Sequence, residues 1–501
     1  MVTIANPILT EAQTSFTQGD YKSAINFMKL LIKDNPLNSE YYFFIGRCYD
    51  KLKQYKESIE YYTKAINISP DNESYYLNKG VALYNIGNLT ESINVFDIGI
   101  TKVKNESSLF LNKGVVLNRN KQYEKAIEAF NEGIKLFSND GSLYNNKGVS
   151  LHRLKRYDEA LYCYNKAISL NNKDLSALMN KGMLLKHLND DIEAIKTFEC
   201  LIKEFPNNSF GYNNKGIILN KIGKAAESIY YFNKAIEIEP ELTSAYLHRG
   251  IAQTTLGCLH KALNNFDHLI NNLNYKTAEV YVHRAAVYEC LNEYDKCLND
   301  CDKAIEIDNK NGEAYFNKGL CYYSMGKYED AINHYKQAIK LKPGFISGHN
   351  NLGVTLYLLK EYERAIDSYN KVIHLDANYL DAYVNKGACL KLLGRFNEAL
   401  ESYNKAININ PRYPPAYYNK GLLYIYNGQF EESVKAFDKA IELKENYIDA
   451  YFNKGSALME LKRYVLAKES FKKCLEYGSG DIIEETTNLI NKCDEAMKLM
   501  K

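Results

Sequence analysis

The sequence has no tryptophan, only nine prolines among 501 residues, and no surplus of either charge. Sixty-three basic against sixty-one acidic residues leave a net charge of +2. Neutralising a phosphate backbone takes a basic excess, so nucleic acid is not an expected partner. No uninterrupted apolar stretch approaches the roughly 20 residues that span a bilayer, so no membrane partner is expected either. Residues 1–16 lack a charged segment followed by an apolar one, so no secretory signal is expected there. The eleven cysteines are odd in number and scattered, not spaced as a disulfide framework. A reduced, cytoplasmic setting is the expectation. Nine histidines show no metal spacing, and no P-loop, HExxH, GxSxG or post-strand GxGxxG occurs. No catalytic, cofactor-binding or metal-binding residue is therefore expected.

What the sequence does have is a period. Asn-Lys-Gly recurs nine times, from Asn78-Lys79-Gly80 to Asn453-Lys454-Gly455. Glycines stand at 46, 80, 114, 148, 182, 216 and 250, always 34 apart. The series steps 35 to Ala285, then resumes at 34 through Gly319, Gly353, Gly387, Gly421 and Gly455. One residue is inserted near Asn274 to Thr277. Within residues 312–345, Tyr315, Gly319 and Tyr322 mark one face of a first helix, interrupted at Gly326-Lys327. Tyr328, Ala331, Tyr335 and Ala338 mark a second helix that stops before Pro343, which has no N–H to continue it. Pro36, Pro70, Pro206, Pro240 and Pro411 are equivalent stops. Small residues such as Gly319 and Ala331 belong where paired helices approach closely, and enlarging one overpacks the contact by about 1–3 kcal/mol.

These positions resemble the tetratricopeptide repeat (TPR): an aromatic at position 4, Gly or Ala at 8, aromatic or Leu at 11, small at 20, aromatic at 24, Ala at 27 and Pro at 32. Counted in register, fourteen repeats start near residues 5, 39, 73, 107, 141, 175, 209, 243, 278, 312, 346, 380, 414 and 448. The expected organisation is an extension at 1–4, an array over 5–480 and an amphipathic capping helix over 481–501. The resemblance implies an all-α fold, a right-handed superhelical α-solenoid of antiparallel helix pairs. Each unit buries its apolar face on its neighbours, so only the stack is stable. Pentatricopeptide and Sel1-like repeats fit poorly, the first being basic with a 35-residue unit and the second longer. No segment of 40 residues escapes the register, which leaves no room for a catalytic domain.

In this family the first helix of each repeat lines the concave surface, and positions 2, 5, 6, 9, 12 and 13 face the ligand. The resemblance therefore points to a ladder at position 6: Asn78, Asn112, Asn146, Asn180, Asn214, His248, His283, Asn317, Asn351, Asn385, Asn419 and Asn453. An amide carries donor and acceptor, and so suits the backbone of an extended peptide. O-linked N-acetylglucosamine transferases are similar in having such a ladder. The same asparagines also read as tolerated exposed polar residues. A basic stripe at positions 12 and 13 comprises Arg119, His152, Arg153, Lys186, His187 and Lys221, and reads either as an attractor of acidic peptide or as a solvated face. The carboxylate clamp for the EEVD tail of chaperones needs asparagine at position 9. Val81, Val115, Val149, Met183, Ile217 and Ile251 stand there instead, so that tail is not an expected partner. Cys290, Cys297, Cys301 and His283 suggest a metal cluster only superficially, because Cys297 and Cys301 fall on core positions 20 and 24.

The expected function is a non-catalytic scaffold or adaptor that holds an extended protein or peptide segment in the concave groove. The alternatives are a substrate-recruiting subunit of an enzyme complex such as a glycosyltransferase, or a microbial effector, which the Asn-, Lys-, Ile- and Tyr-rich composition permits.

Overall fold

The computed structural model describes residues 7–103, 106–478 and 481–499, and the expected extension at 1–4 lies outside them. The described residues form twenty-nine α-helices and no strand. Helices alternate along the period: in most pairs the first helix has 13 residues, as in Gly312–Ser324, and the second has 14, as in Tyr328–Leu341. The fold class is all-α, a solenoid of antiparallel helix pairs.

Local chemistry fixes the ends of these helices. Asn38, Asn72, Asp140, Asp174, Asn208 and Asn311 each cap a first helix, their side chains accepting a backbone N–H of the first turn. The three-residue turn to the second helix always carries its middle residue at positive φ. Glycine takes that place in half of the repeats, as at Gly326, and Lys or Asn in the others, as at Lys360 and Asn189. Tyrosines at position 4 anchor the following unit: Tyr42 and Tyr76 donate to the carbonyls of Pro36 and Pro70 at 3.1 and 2.9 Å.

The chain divides into two compact units, residues 1–252 and 253–501. In the first, the glycine at position 8 lies beneath the aromatic ring at position 24. A Cβ added to Gly80 would stand 2.4 Å from Phe96 Cζ, and one on Gly114 would stand 2.3 Å from Phe130 Cε1. Tyr62, Phe96, Phe130, Tyr164, Phe198 and Phe232 are all fully buried by this arrangement. Glycine is required here because the ring occupies the space a side chain would need.

The second unit repeats the contact at Gly319, Gly353, Gly387, Gly421 and Gly455. Repeat nine departs from it. Ala285 replaces the glycine and Cys301 replaces the ring, and both are fully buried in one small cluster with Cys297 and Cys321. The larger residue at position 8 goes with the smaller at position 24, which keeps the volume filled. Cys297 and Cys301 are thus core residues, and all eleven cysteines are free. The inserted residue is absorbed ahead of this repeat: the helix Leu259–Asn271 has 13 residues, and the loop before Ala278–Cys290 lengthens, with Asn274 at positive φ. The helix Asp481–Leu499 packs Leu489, Ile490 and Cys493 onto Leu458 and Phe471. Lys468 Nζ reaches Asp494 Oδ2 at 2.6 Å. No helix among the described residues is long and apolar enough to cross a membrane.

Candidate functional site

The Asn-Lys-Gly tripeptide separates into three jobs. Glycine receives the ring, as described. The lysine at position 7 ties its helix to the second helix of the preceding repeat: Lys113 to Asp97 at 2.6 Å, Lys215 to Glu199 at 2.7 Å, Lys318 to Asp302 at 2.5 Å and Lys454 to Asp438 at 2.6 Å. Lys420 uses an amide instead, donating to Asn404 Oδ1 at 2.9 Å. Lys215 is the most buried of these, and it also donates to Tyr231 Oη at 2.7 Å. Burial there disfavours the ammonium, but the bonds to Glu199 and Tyr231 outweigh it and raise its pKa. In repeat nine Arg284 takes the role. It grips the buried Asp300 through Nε and Nη2 at 2.6 and 2.8 Å and reaches Asp267 at 2.5 Å.

The asparagine is the third member. In the first unit, Asn78, Asn112, Asn146 and Asn214 each donate from Nδ2 to the carbonyl four residues earlier, at 2.8, 2.8, 2.9 and 3.0 Å. A backbone carbonyl only accepts, so this bond fixes which end of the amide points away. Asn180 donates instead to Asn145 Oδ1 on the preceding first helix, at 3.0 Å. His248 stacks on Phe232, with ring centroids 6.2 Å apart.

In the second unit, Asn419 and Asn453 make the same local bond, to Pro415 and Asp449, at 2.9 and 2.8 Å. Asn317 is buried and donates to Val282 O of the preceding first helix at 2.9 Å. Asn351 accepts from Asn350 Nδ2 at 3.5 Å, and the half-buried Asn385 makes no side-chain hydrogen bond among the described residues. His283 stacks on Phe266 at 6.3 Å, and burial lowers its pKa. The line is therefore uneven. Asn214 and Asn317 are closed off by the fold, while Asn78, Asn112, Asn146, Asn180, Asn385, Asn419 and Asn453 stay half-buried.

The basic stripe lies on the same helices of the first unit. Arg119 covers the Tyr84 ring at 4.6 Å and donates to its hydroxyl at 2.8 Å. Lys186 donates to Asn214 Oδ1 at 2.9 Å, and Lys221 pairs with Asp191 at 2.9 Å. Arg153 is exposed and has no ion-pair partner among the described residues. The stripe thus holds one carboxylate against four fixed cations. The repeat pattern does not single out Tyr157, which packs edge-on to both His152 and His187. Nor does it single out Asn145 and Asn213, buried amides at a position that most other repeats fill with apolar or aromatic residues and one fills with Asn350.

Among the described residues, no group of His, Cys, Asp and Glu is placed to hold a metal. A cavity of about 690 Å³ lies among the last three repeat helices, lined by Tyr451, Lys454, Leu458, Leu466 and others. It shares no residue with the ladder, and its Lys454 and Lys473 are already paired with Asp438 and Glu476.

Tetratricopeptide repeat family models match at 39–72, 77–141, 142–174, 211–242, 278–311, 312–345, 346–379 and 448–477. A TPR repeat model matches 390–427 and 421–462, so the matches cover well over half of the chain. No curated protein matches it. Among solved structures, the Cut9–Hcn1 heterotetramer of the APC/C is similar at 15% identity and TM-score 0.44, over 93% of this chain and 98% of that one. YrrB, described as a TPR protein with an unusual peptide-binding site, aligns at 26% identity and TM-score 0.32, over 37% and 95%. MamA aligns at 30% identity and TM-score 0.29, over 32% and 93%.

Proposed function

The chain belongs to the tetratricopeptide repeat family, and from that premise we propose that it is a non-catalytic scaffold holding an extended segment of a partner protein. The segment lies along the line of position-6 residues on the first helices. The observation that carries this reading is the pre-set amide. Asn78, Asn112, Asn146, Asn419 and Asn453 are each held in one rotamer by a bond to their own helix, leaving the carbonyl oxygen turned away from it. An amide fixed beforehand loses little rotamer entropy on binding, typically about 0.5–1.5 kcal/mol saved per side chain. A series of such oxygens at one position in successive repeats suits a chain offering N–H groups at intervals.

The test is a pull-down with the wild-type chain and with Asn78, Asn112 and Asn146 all changed to alanine. Each loses one bond on a half-buried surface, so the helical signal and melting temperature should stay close to wild type. Partner recovery is expected to fall at least tenfold. Unchanged recovery would remove the ladder from the binding surface.

A further inference from the structure

On the first helices of repeats five and six, two imidazoles face one another. The ring centroids of His152 and His187 are 6.2 Å apart. Tyr157 packs edge-on to both, at 5.8 and 5.5 Å, with its hydroxyl 3.3 Å from His187 Nε2. All three side chains lie within the first compact unit.

The charges of the surrounding repeats come from seven helices. Arg119 comes from Ser107–Arg119, Arg153 from the His152 helix and Lys186 from the His187 helix. Asp191 and Lys221 come from the next two helices along the chain. The helix Tyr157–Leu170 adds Glu159, with Arg156 just before it. Glu124 acts on Arg156 from Tyr123–Leu136. Two of these three acids are already paired. Glu159 takes Arg156 through both oxygens at 2.7 Å, and Asp191 takes Lys221. Arg119 sits on Tyr84 and Lys186 on Asn214, with no carboxylate on either. His152, His187 and Arg153 are left with no anion among the described residues. Burial lowers the pKa of His152, and the positive His187 and Arg153 lower it further. A proton on His152 is thus opposed by its neighbours, and an anion between the two rings would reverse that opposition.

We infer that the paired imidazoles of His152 and His187, with Arg153 beside them, form a site for a phosphate monoester carried by the bound protein segment. The inference rests on the scaffold reading for the segment itself. A phosphate monoester fits better than a carboxylate because three cationic groups are present when both rings are protonated. A phosphate brings a charge of about −1.5 to −2 and three acceptor oxygens at neutral pH. Its second ionisation, near pH 6, falls beside that of imidazole, near 6.5, so protein and ligand exchange protons over the same range. Binding is strongest near pH 6 and weakens as the rings lose their protons at higher pH.

The experiment uses the full chain labelled with ¹³C on its histidine rings and titrated with phenyl phosphate, resonances being assigned with His152→Gln and His187→Gln. The two ring signals are expected to move together and saturate at millimolar ligand. Binding should be about tenfold weaker at pH 8 than at pH 6, and Arg153→Gln should weaken it several-fold while leaving the melting temperature unchanged. Absence of a saturable shift at both rings overturns the proposal, and so does benzoate moving them as far as phenyl phosphate does. A failed titration leaves the ladder pull-down standing. A failed pull-down with a positive titration removes the scaffold reading and leaves an anion site.

Discussion

A methyl group built on Gly387 would stand 2.4 Å from Cε1 of Tyr403, a ring with no exposed surface. Gly387→Ala must therefore displace a buried ring, and it is expected to cost about 1–3 kcal/mol. Repeat nine shows the compensation, Ala285 being paired with Cys301 in one cluster. Gly387→Ala combined with Tyr403→Cys should lose less than the two single changes added together, with a coupling of about 0.5–3 kcal/mol. Urea unfolding of the four chains measures it. Strict additivity would mean that the ring and the glycine are not in conflict.

The turns between paired helices offer a second test. Lys360 and Gly326 occupy equivalent positions, at φ of 59° and 74°. A side chain in this conformation carries a backbone cost of about 1–2 kcal/mol. Lys360→Gly is expected to stabilise by about 0.5–1 kcal/mol, the gain reduced by the greater freedom of an unfolded glycine. Gly326→Ala should destabilise, although nothing lies within 4 Å of the added carbon. Melting temperatures moving in the same direction for both changes would contradict this account.

The pairing of Arg284 with Asp300 gives a third. Asp300 is 1% exposed and Arg284 11%, with two bonds between them. Asp300→Ala leaves a guanidinium largely buried, with Asp267 and the rings of Tyr281 and Tyr288 beside it, and should cost about 3–5 kcal/mol. The exposed pair Lys439 and Glu442 should lose less than about 1 kcal/mol when Glu442 becomes Ala. Comparable losses at the two sites would show that burial does not set the cost.

Asp50 gives a fourth, in pH. Its carboxyl pKa is raised, chiefly by burial and against the bond it accepts from Tyr62 Oη at 2.5 Å. A carboxyl with a raised folded-state pKa holds its proton more tightly when folded. Its stabilising contribution is then complete below the unfolded pKa, near 3.9, and is lost as pH rises through the folded value. Asp50→Asn keeps an acceptor for Tyr62 and should be more stable than wild type at pH 7. The difference should vanish in acid, as thermal melts across pH 4 to 8 would show.

The period, the paired helices and the core were legible because most repeats present the same small and aromatic residues at the same spacing. Gly80 and Phe96 are sixteen residues apart in every copy of the pattern. The lysine between asparagine and glycine was not legible as a tie. Its partner is Asp97 in one repeat, Glu199 in another and an amide in a third, always on the preceding helix. Nor was the uneven ladder. A mid-helix asparagine either faces outward or bonds back to its own turn, and the choice depends on neighbours. Asn214 and Asn317, read as groove residues on the same footing as Asn112, are buried by the packing of adjacent helices. His152 and His187 were visible as members of a basic stripe. Their approach to each other and to Tyr157 depends on how two repeats stack.

The central claim is that a partner segment lies along the position-6 line. Photo-crosslinking tests it most directly, with a benzoylphenylalanine placed at Asn112 or Asn419 on the line, and at the exposed Glu128 or Lys435 on second helices. The account predicts adducts from Asn112 and from Asn419 that each map to an extended segment of a partner, and none from Glu128 or Lys435. Adducts to the same partner from Glu128 and Lys435, with none from the line, would contradict it.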